Sequence, residues 1–362
     1  MKAVVVNEFG GGFHTEEVSI ADPIGKEVLI EVKASGLCHS DLTLANHDLG
    51  YPPPAVFGHE VAGVVTAIGS EVTEFAVGDH VVGSLIQVCG HCTSCLNGRS
   101  FQCLHPEETL RSPEQSSRLS RESGPVSQGF GLGGFAQQAL IHSNQLVKID
   151  DAMPFPQAAL LGCGGLTGAG AVLNTADVQP GESVVIVGAG GVGLNAVNGA
   201  IIAGAGKIIV VDVADDKLEK AKLFGATHTV NSTTEDAVAY VQAVTQGGAD
   251  YVFDFVGIGA VEKQGLDMLR IGGGLYMIGV SPGKSEFQLD AVETVSTQKR
   301  IVGVYMGSST LKRDVPVYVD LYLKGRIKLD ELVSKEISLD EVTEGYESLK
   351  DSSVTRVVIT RF

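Results

Sequence analysis

The sequence predicts an α/β protein of two domains, a compact β-rich barrel and a doubly wound parallel sheet. Three observations carry that reading. The chain has 362 residues, too many for one ordinary core when domains run to roughly 150 residues. Up to about residue 160 it is built of short β-branched runs punctuated by glycine turns. From about Gly181 the rhythm changes to strand, helix, strand, which is the pattern of a parallel sheet with crossover helices.

The elements follow in order. Lys2–Asn7, Glu27–Lys33, Val61–Ile68 and His80–Gly83 are alternating or β-branched runs bounded by Gly, Pro and Asp, and read as strands of an antiparallel barrel-like domain. Leu104 to Gly129 is polar, carries Arg111, Arg118 and Arg121 among repeated Ser and Pro, and reads as a long loop of the kind that is often functional. Six further strands are expected at Ser183–Val187, Lys207–Asp212, Thr227–Val230, Asp250–Val256, Gly274–Gly279 and Arg300–Tyr305. Helical stretches lie between them, clearest at Asp215–Phe224, which stops at Gly225, and at Glu235–Thr245. The tail from about Gly307 is mixed and ends in a strand-like Thr355–Thr360 that is expected to return to the first domain.

Composition narrows the function classes. With 43 acidic against 26 basic residues the net charge is −17. Phosphate backbones and anionic lipid would repel such a chain, so nucleic acid and membrane surfaces are poor partners. The apolar run after Met1 is too short for a signal peptide, and no later stretch reads as the ~18 apolar residues of a membrane span. A cytoplasmic protein is expected. In that compartment six cysteines point to metal binding or reactivity rather than to structural disulfides.

The cysteines divide into two groups. Cys89, Cys92, Cys95 and Cys103 form C-x2-C-x2-C-x7-C within fifteen residues. Four thiolates so spaced can close a tetrahedral shell around a structural zinc; an iron–sulfur cluster or a redox pair uses the same residue type. Cys38 and Cys163 are far apart in sequence, and His59 follows Gly58. Two sulfurs and one imidazole would make an open three-ligand zinc site that leaves a position for substrate.

The strand Ser183–Val187 runs into Gly188-Ala189-Gly190-Gly191-Val192-Gly193, and a second strand ends in Asp212, twenty-four residues after Gly188. Glycines there allow a tight turn and a close approach of a pyrophosphate to the N-terminus of the next helix. An acidic residue at Asp212 accepts hydrogen bonds from the adenosine ribose and repels a 2′-phosphate, so NAD is preferred over NADP.

Taken together, these motifs resemble the zinc-dependent alcohol dehydrogenases of the medium-chain dehydrogenase/reductase superfamily, over essentially the whole chain. Gly58-His59-Glu60-x2-Gly63-x5-Gly69-x2-Val72 matches the family's zinc signature, and the cysteine lobe and glycine loop follow in the family's order. The resemblance implies a GroES-like catalytic domain, 1–164 with 304–362 and a structural zinc lobe at 89–103. A Rossmann NAD-binding domain would occupy 165–303. It implies two zinc ions per chain, the catalytic one held by Cys38, His59 and Cys163, with Asp41 orienting His59 and Glu60 behind the metal. Ser40 would begin the proton exit. His39 and Arg356 would face the cofactor pyrophosphate and Lys217 the adenosine ribose, and Ile278 and Gly279 would also bind the cofactor. Leu85 and Thr167 would line the substrate pocket, Thr167 also touching the cofactor. Gly274–Gly279 and Arg300–Tyr305 would pair across a two-fold axis in a homodimer or homotetramer.

Two departures bear on chemistry. Many relatives place a relay histidine five residues after the first zinc cysteine; here that position is Thr43, with His47 as a possible substitute. The branch that acts on the formaldehyde–glutathione adduct carries an arginine four residues after the last lobe cysteine, where this chain has Glu107. The implied reaction is reversible hydride transfer between NAD and a primary alcohol, of aryl, allylic or medium-chain type as in benzyl-alcohol dehydrogenases with a long loop. A secondary-alcohol or polyol dehydrogenase, and a relative that binds NADH and zinc without turnover, are the alternatives.

Overall fold

The computed structural model describes residues 1–280 and 285–362. They form two compact units, Met1–Cys163 with Thr310–Phe362, and Gly164–Ser309. The sequence-based division differs only in Gly164 and residues 304–309, which pack with the second unit.

In the first unit, the ten-residue strand Glu27–Gly36 is the centre of a seven-stranded sheet. It pairs antiparallel with Glu60–Ile68, Gln138–His142 and Arg356–Arg361, so the last residues of the chain lie beside the strand that leads to Cys38. The alternation read from sequence is visible as burial: Val28, Ile30 and Val32 are in the core while Glu31 is exposed. A second sheet contains Lys2–Val6, Ala55–Val56 and Gly124–Gln128, and its apolar side chains pack with Leu37, Phe57, Phe135 and Tyr346.

The segment Leu104 to Gly129, read from sequence as a long loop, carries regular structure of its own. It contains a short helical turn, Pro106–Thr109, and a hairpin, Leu119–Arg121 with Gly124–Gln128. Its anchor is Glu27, buried in the central strand. Arg111 donates to both Glu27 oxygens, Nε to Oε1 at 2.9 Å and Nη2 to Oε2 at 2.6 Å, and Arg118 Nε donates to Oε1 at 2.7 Å.

The second unit is a parallel sheet of six strands in the spatial order third, second, first, fourth, fifth, sixth. Ligands of such sheets bind beyond the carboxyl ends, where the order reverses; here that is between Ser183–Val187 and Ala249–Asp254. The helix Asp215–Phe224 has Asp215 and Asp216 in its first turn, Lys222 in its last, and Gly225 at φ 112° to end it, each matched to the helix dipole or to a left-handed cap. The next helix begins at Ala237, because the Asp236 side chain caps it by accepting from Ala239 N. The fifth strand is Leu269–Met277 and stops short of Ile278 and Gly279, whose amides turn back to the Asp254 carbonyl, both at 2.9 Å.

Among the described residues one helical run, Phe155–Thr175, is long and apolar enough to cross a membrane, contrary to the sequence reading, and 83% of its apolar window is buried inside the fold. Burial of that extent is what a core helix shows.

Candidate active site

Cys38 stands at the end of the central strand's extension and at the N-cap of the helix His39–Asn46. The helix therefore presents Ser40 and Asp41 one turn from the thiol, Ser40 Oγ lying 3.8 Å from Cys38 Sγ. Gly58 sits at φ 95°, and a Cβ there would lie 2.6 Å from Phe135 N; only glycine turns the chain so tightly into His59. Cys163 comes from a wide helical turn, Leu161–Gly165, a local geometry common at functional sites.

These elements converge. Donor atoms of Cys38, His59, Glu60 and Cys163 lie within 4.8 Å of one another, all buried. His59 Nε2 is 3.3 Å from Cys163 Sγ, and His59 Nδ1 is 2.9 Å from Asp41 Oδ2 with both side chains fully buried. Asp41 Oδ1 accepts from Gly58 N at 3.0 Å, which ties the carboxylate to the turn that positions the imidazole. A carboxylate on the far nitrogen fixes the tautomer that leaves Nε2 as a metal ligand.

The electrostatics suit a cation. A hydrogen bond from the Cys163 thiol holds Cys38 well below the ordinary thiol range, helped by the charges of His59 and Arg356. The same contact and burial push Cys163 up. Burial alone would lower His59, but the charges of Asp41 and Cys38 raise it well above the usual value. Burial pushes the Glu60 carboxyl up to about 7, against the nearby Arg356 guanidinium, and neither Glu60 oxygen has a hydrogen-bond partner. Two sulfurs, an imidazole and an unsatisfied carboxylate in one buried cluster fit a zinc ion.

The other four cysteines also cluster within 4.8 Å. Backbone amides point at their sulfurs: Cys89 N to Cys103 Sγ at 3.2 Å, Cys92 N to Cys89 Sγ at 3.4 Å, and His105 N to Cys103 Sγ at 3.4 Å. Amide donors of this kind stabilise thiolates, and four of them close a tetrahedral shell. His91 and His105 turn to Glu108 and Glu107, at 2.7 and 3.4 Å.

In the second unit the glycine loop fits a dinucleotide. A Cβ at Gly193 would lie 1.9 Å from Gly188 O, whereas one at Gly190 would project into open space. The helix Gly191–Ala203 that follows has no side-chain cap, so its first amides are available to a phosphate. Asp212 Oδ2 accepts from Ala189 N at 2.7 Å, and Oδ1 from Val213 N and Ala214 N at 2.8 and 3.1 Å. With about four lone-pair sites on a carboxylate, roughly one remains, on Oδ2, for a ribose hydroxyl.

Comparison with known proteins decides the family. An alcohol dehydrogenase GroES-like domain matches residues 25–151 and a zinc-binding dehydrogenase domain matches 191–324. The chain is 39% identical to an NDMA-dependent alcohol dehydrogenase of Amycolatopsis methanolica, covering 99% of this chain and 98% of that one. It is 34% identical to an S-(hydroxymethyl)glutathione dehydrogenase of Paracoccus denitrificans, covering 99% of each. The crystal structure of benzyl alcohol dehydrogenase from Acinetobacter calcoaceticus superposes with a TM-score of 0.94 at 36% identity, covering 100% of this chain and 99% of that one. The chain belongs to the zinc-dependent alcohol dehydrogenases. Its cofactors are NAD and zinc, and its substrates are small alcohols or aldehydes.

Other expected site residues of this dehydrogenase take the following places. Arg356 is buried with its guanidinium 3.5 Å from Glu60, rather than free at a surface. Ser40 and His39 are exposed, Lys217 and Val192 are half-buried, and Leu85 is buried next to the strand His80–Gly83. The Thr167 hydroxyl donates to Met306 Sδ at 3.5 Å. Thr43 donates its hydroxyl to the His39 carbonyl at 3.0 Å, and His47 is an exposed C-cap.

Two aromatic residues escaped the sequence reading. Phe130 is held at φ 53°, ψ 17°, unusual for a bulky residue, with its carbonyl bound by buried Gln145 at 2.9 Å. Its ring meets His59 edge-on, 5.3 Å between centroids, and Tyr51 at 5.2 Å. The only trace in the sequence is the Gly129-Phe130-Gly131 triplet.

Proposed function

We propose that Cys38, His59 and Cys163 hold the catalytic zinc, that Cys89, Cys92, Cys95 and Cys103 hold a structural zinc, and that the enzyme oxidises bulky primary alcohols of aryl or allylic type. The observation that carries this is the buried Cys38–His59–Cys163 cluster with the Phe130 ring against His59. When bound, zinc supplies Lewis-acid polarisation of the alcohol oxygen, and NAD supplies the hydride acceptor.

The protein's own residues do the rest. Asp41 keeps His59 in the tautomer that ligates through Nε2. Ser40 Oγ, exposed beside Cys38, takes the alcohol proton and passes it outward. Thr43 does not extend that path, because its hydroxyl is already donated to the His39 carbonyl, so water follows Ser40. Glu60 and Arg356 balance charge behind the ligands. Gly188, Gly190, Gly191, Val192 and Gly193 cradle the cofactor phosphates, and Asp212 and Lys217 face the ribose.

Phe130 lies against His59 and is backed by Tyr51, an aromatic pair that suits a flat, apolar substrate. The superposed benzyl alcohol dehydrogenase supports that class, and Glu107, exposed and paired with His105, puts an acidic side chain where the glutathione-adduct branch carries an arginine. A homo-oligomer fits the edge strand Arg300–Gly303 of the second unit and the exposed Val280, Val292 and Val295 near it in sequence. A cytoplasmic location fits six cysteines without a disulfide.

The test is a kcat/KM survey with NAD across benzyl, cinnamyl, hexyl, ethyl and secondary alcohols and polyols. Benzyl or cinnamyl alcohol should lead. A lead for secondary alcohols or polyols would overturn the substrate class, and no alcohol-dependent NADH signal from a protein with full zinc would overturn catalysis.

A further inference from the structure

The C-terminal segment returns to the metal ligands at one point that no part of the reaction described so far uses. Tyr346, in the helix Val342–Ser348, is buried and donates its hydroxyl to the Cys38 carbonyl at 3.1 Å, across 308 residues of sequence. Cys38 is the N-cap of the helix His39–Asn46, and it has no side-chain cap bond of its own. Its carbonyl also accepts Asp41 N, at 3.2 Å. One carbonyl thus ties the phenol to the first turn that carries Ser40 and Asp41.

The neighbouring contacts hold the same point. Leu37 N donates to Val357 O at 2.9 Å. Gly345 lies so close to Leu37 that a Cβ on it would be 2.7 Å from Leu37 Cδ2. The Tyr346 ring stacks on Phe13, centroids 5.0 Å apart and planes at 12°, so the hydroxyl cannot swing without breaking the stack.

We infer that Tyr346 is a positioning residue for the catalytic metal site: its hydroxyl sets the Cys38 carbonyl, and through it the direction of the Cys38 sulfur and the first turn of the helix. This rests on the reading of Cys38 as a zinc ligand. A tyrosine restricted to packing needs only its ring, whereas one that positions the ligand needs its oxygen.

Tyr346→Phe separates the two, because it keeps the ring and the stack. The enzyme is prepared with cobalt at the catalytic site and zinc in the lobe, and its visible absorption and the rate of metal loss to a chelator are followed. Tyr346→Phe should shift the cobalt thiolate band and speed release from that site roughly tenfold, the low end for loss of an outer hydrogen-bonding partner. Lobe zinc should be retained, and kcat should fall more than KM rises. Phe13→Leu, which removes the stacking ring but leaves the hydroxyl, should lower Tm and leave the band in place.

An unmoved band with wild-type release in Tyr346→Phe overturns the inference, as does a shift of equal size in Phe13→Leu. Cys38→Ser identifies which premise has failed. If it weakens and shifts the band, leaving the part due to Cys163, while Tyr346→Phe leaves it unmoved, the positioning role alone falls. If Cys38→Ser leaves the band at its full intensity and position, the ligand reading falls and takes the inference with it.

Discussion

Glu27 is where the long polar segment and the barrel depend on each other most. Its side chain is 4% exposed, and those of Arg111 and Arg118 are 7% and 6%. The carboxylate accepts four bonds: Arg111 Nε and Arg118 Nε on Oε1, Arg111 Nη2 and Ile24 N on Oε2. Glu27→Gln preserves shape but strands two guanidinium ions in a buried site. Breaking such a network by removing one partner costs about 3–5 kcal/mol, and for a unit of this size each kcal/mol lowers the midpoint by about 2–4 °C. The expected loss is therefore roughly 6–20 °C in thermal unfolding at pH 7, with trypsin cutting first between Arg111 and Arg121. Burial raises the Glu27 pKa, but the bonds from Arg111, Ile24 N and Arg118 outweigh it and leave the carboxyl below its ordinary value. The folded value is thus lower than the unfolded one, so the contribution is complete above about pH 4.3 and fades as pH falls through the folded value. Glu27→Gln should flatten that acid limb. A loss under ~1 kcal/mol, typical of an exposed pair, would refute the anchoring role.

Three further outcomes are expected. Metal analysis after gel filtration should find two zinc ions per chain; Cys163→Ala should lose one and stay folded, whereas Cys103→Ala should lose the other and refold poorly, since structural zinc contributes folding free energy directly. Asp212→Gly should weaken NAD by about 1.5–3 kcal/mol, roughly ten- to a hundredfold. NADP should gain less than charge removal alone implies, because the carboxylate also fixes Ala189 N; ratios of kcat/KM for the two cofactors check this. Ser40→Ala should cut oxidation by ~10²–10⁴-fold with zinc and NADH binding intact, while His47→Gln should leave the pH–rate profile unchanged; an imidazole-rescued defect in His47→Gln would contradict the water exit.

The sequence by itself determined whatever repeats locally or is spaced by covalent geometry. The strands Ser183–Val187, Lys207–Asp212 and His80–Gly83 and the helix Asp215–Phe224 were legible to the residue, because side-chain period and terminal signals lie within each segment. The four-cysteine lobe was legible because its sulfurs sit within fifteen residues and a short chain must bring them together. The segment from Leu104 to Gly129 was not, because what orders it is Glu27, 84 residues before Arg111 and 91 before Arg118. The same holds for Phe130 on His59 and Tyr346 on Cys38. The family resemblance implies Arg356 as a cation for phosphate, yet only folding sets it against Glu60, and only folding commits most of the Asp212 carboxylate to backbone amides. Contacts across such separations leave no periodic trace, since their loop-closure cost is met by the whole core rather than by any local pattern.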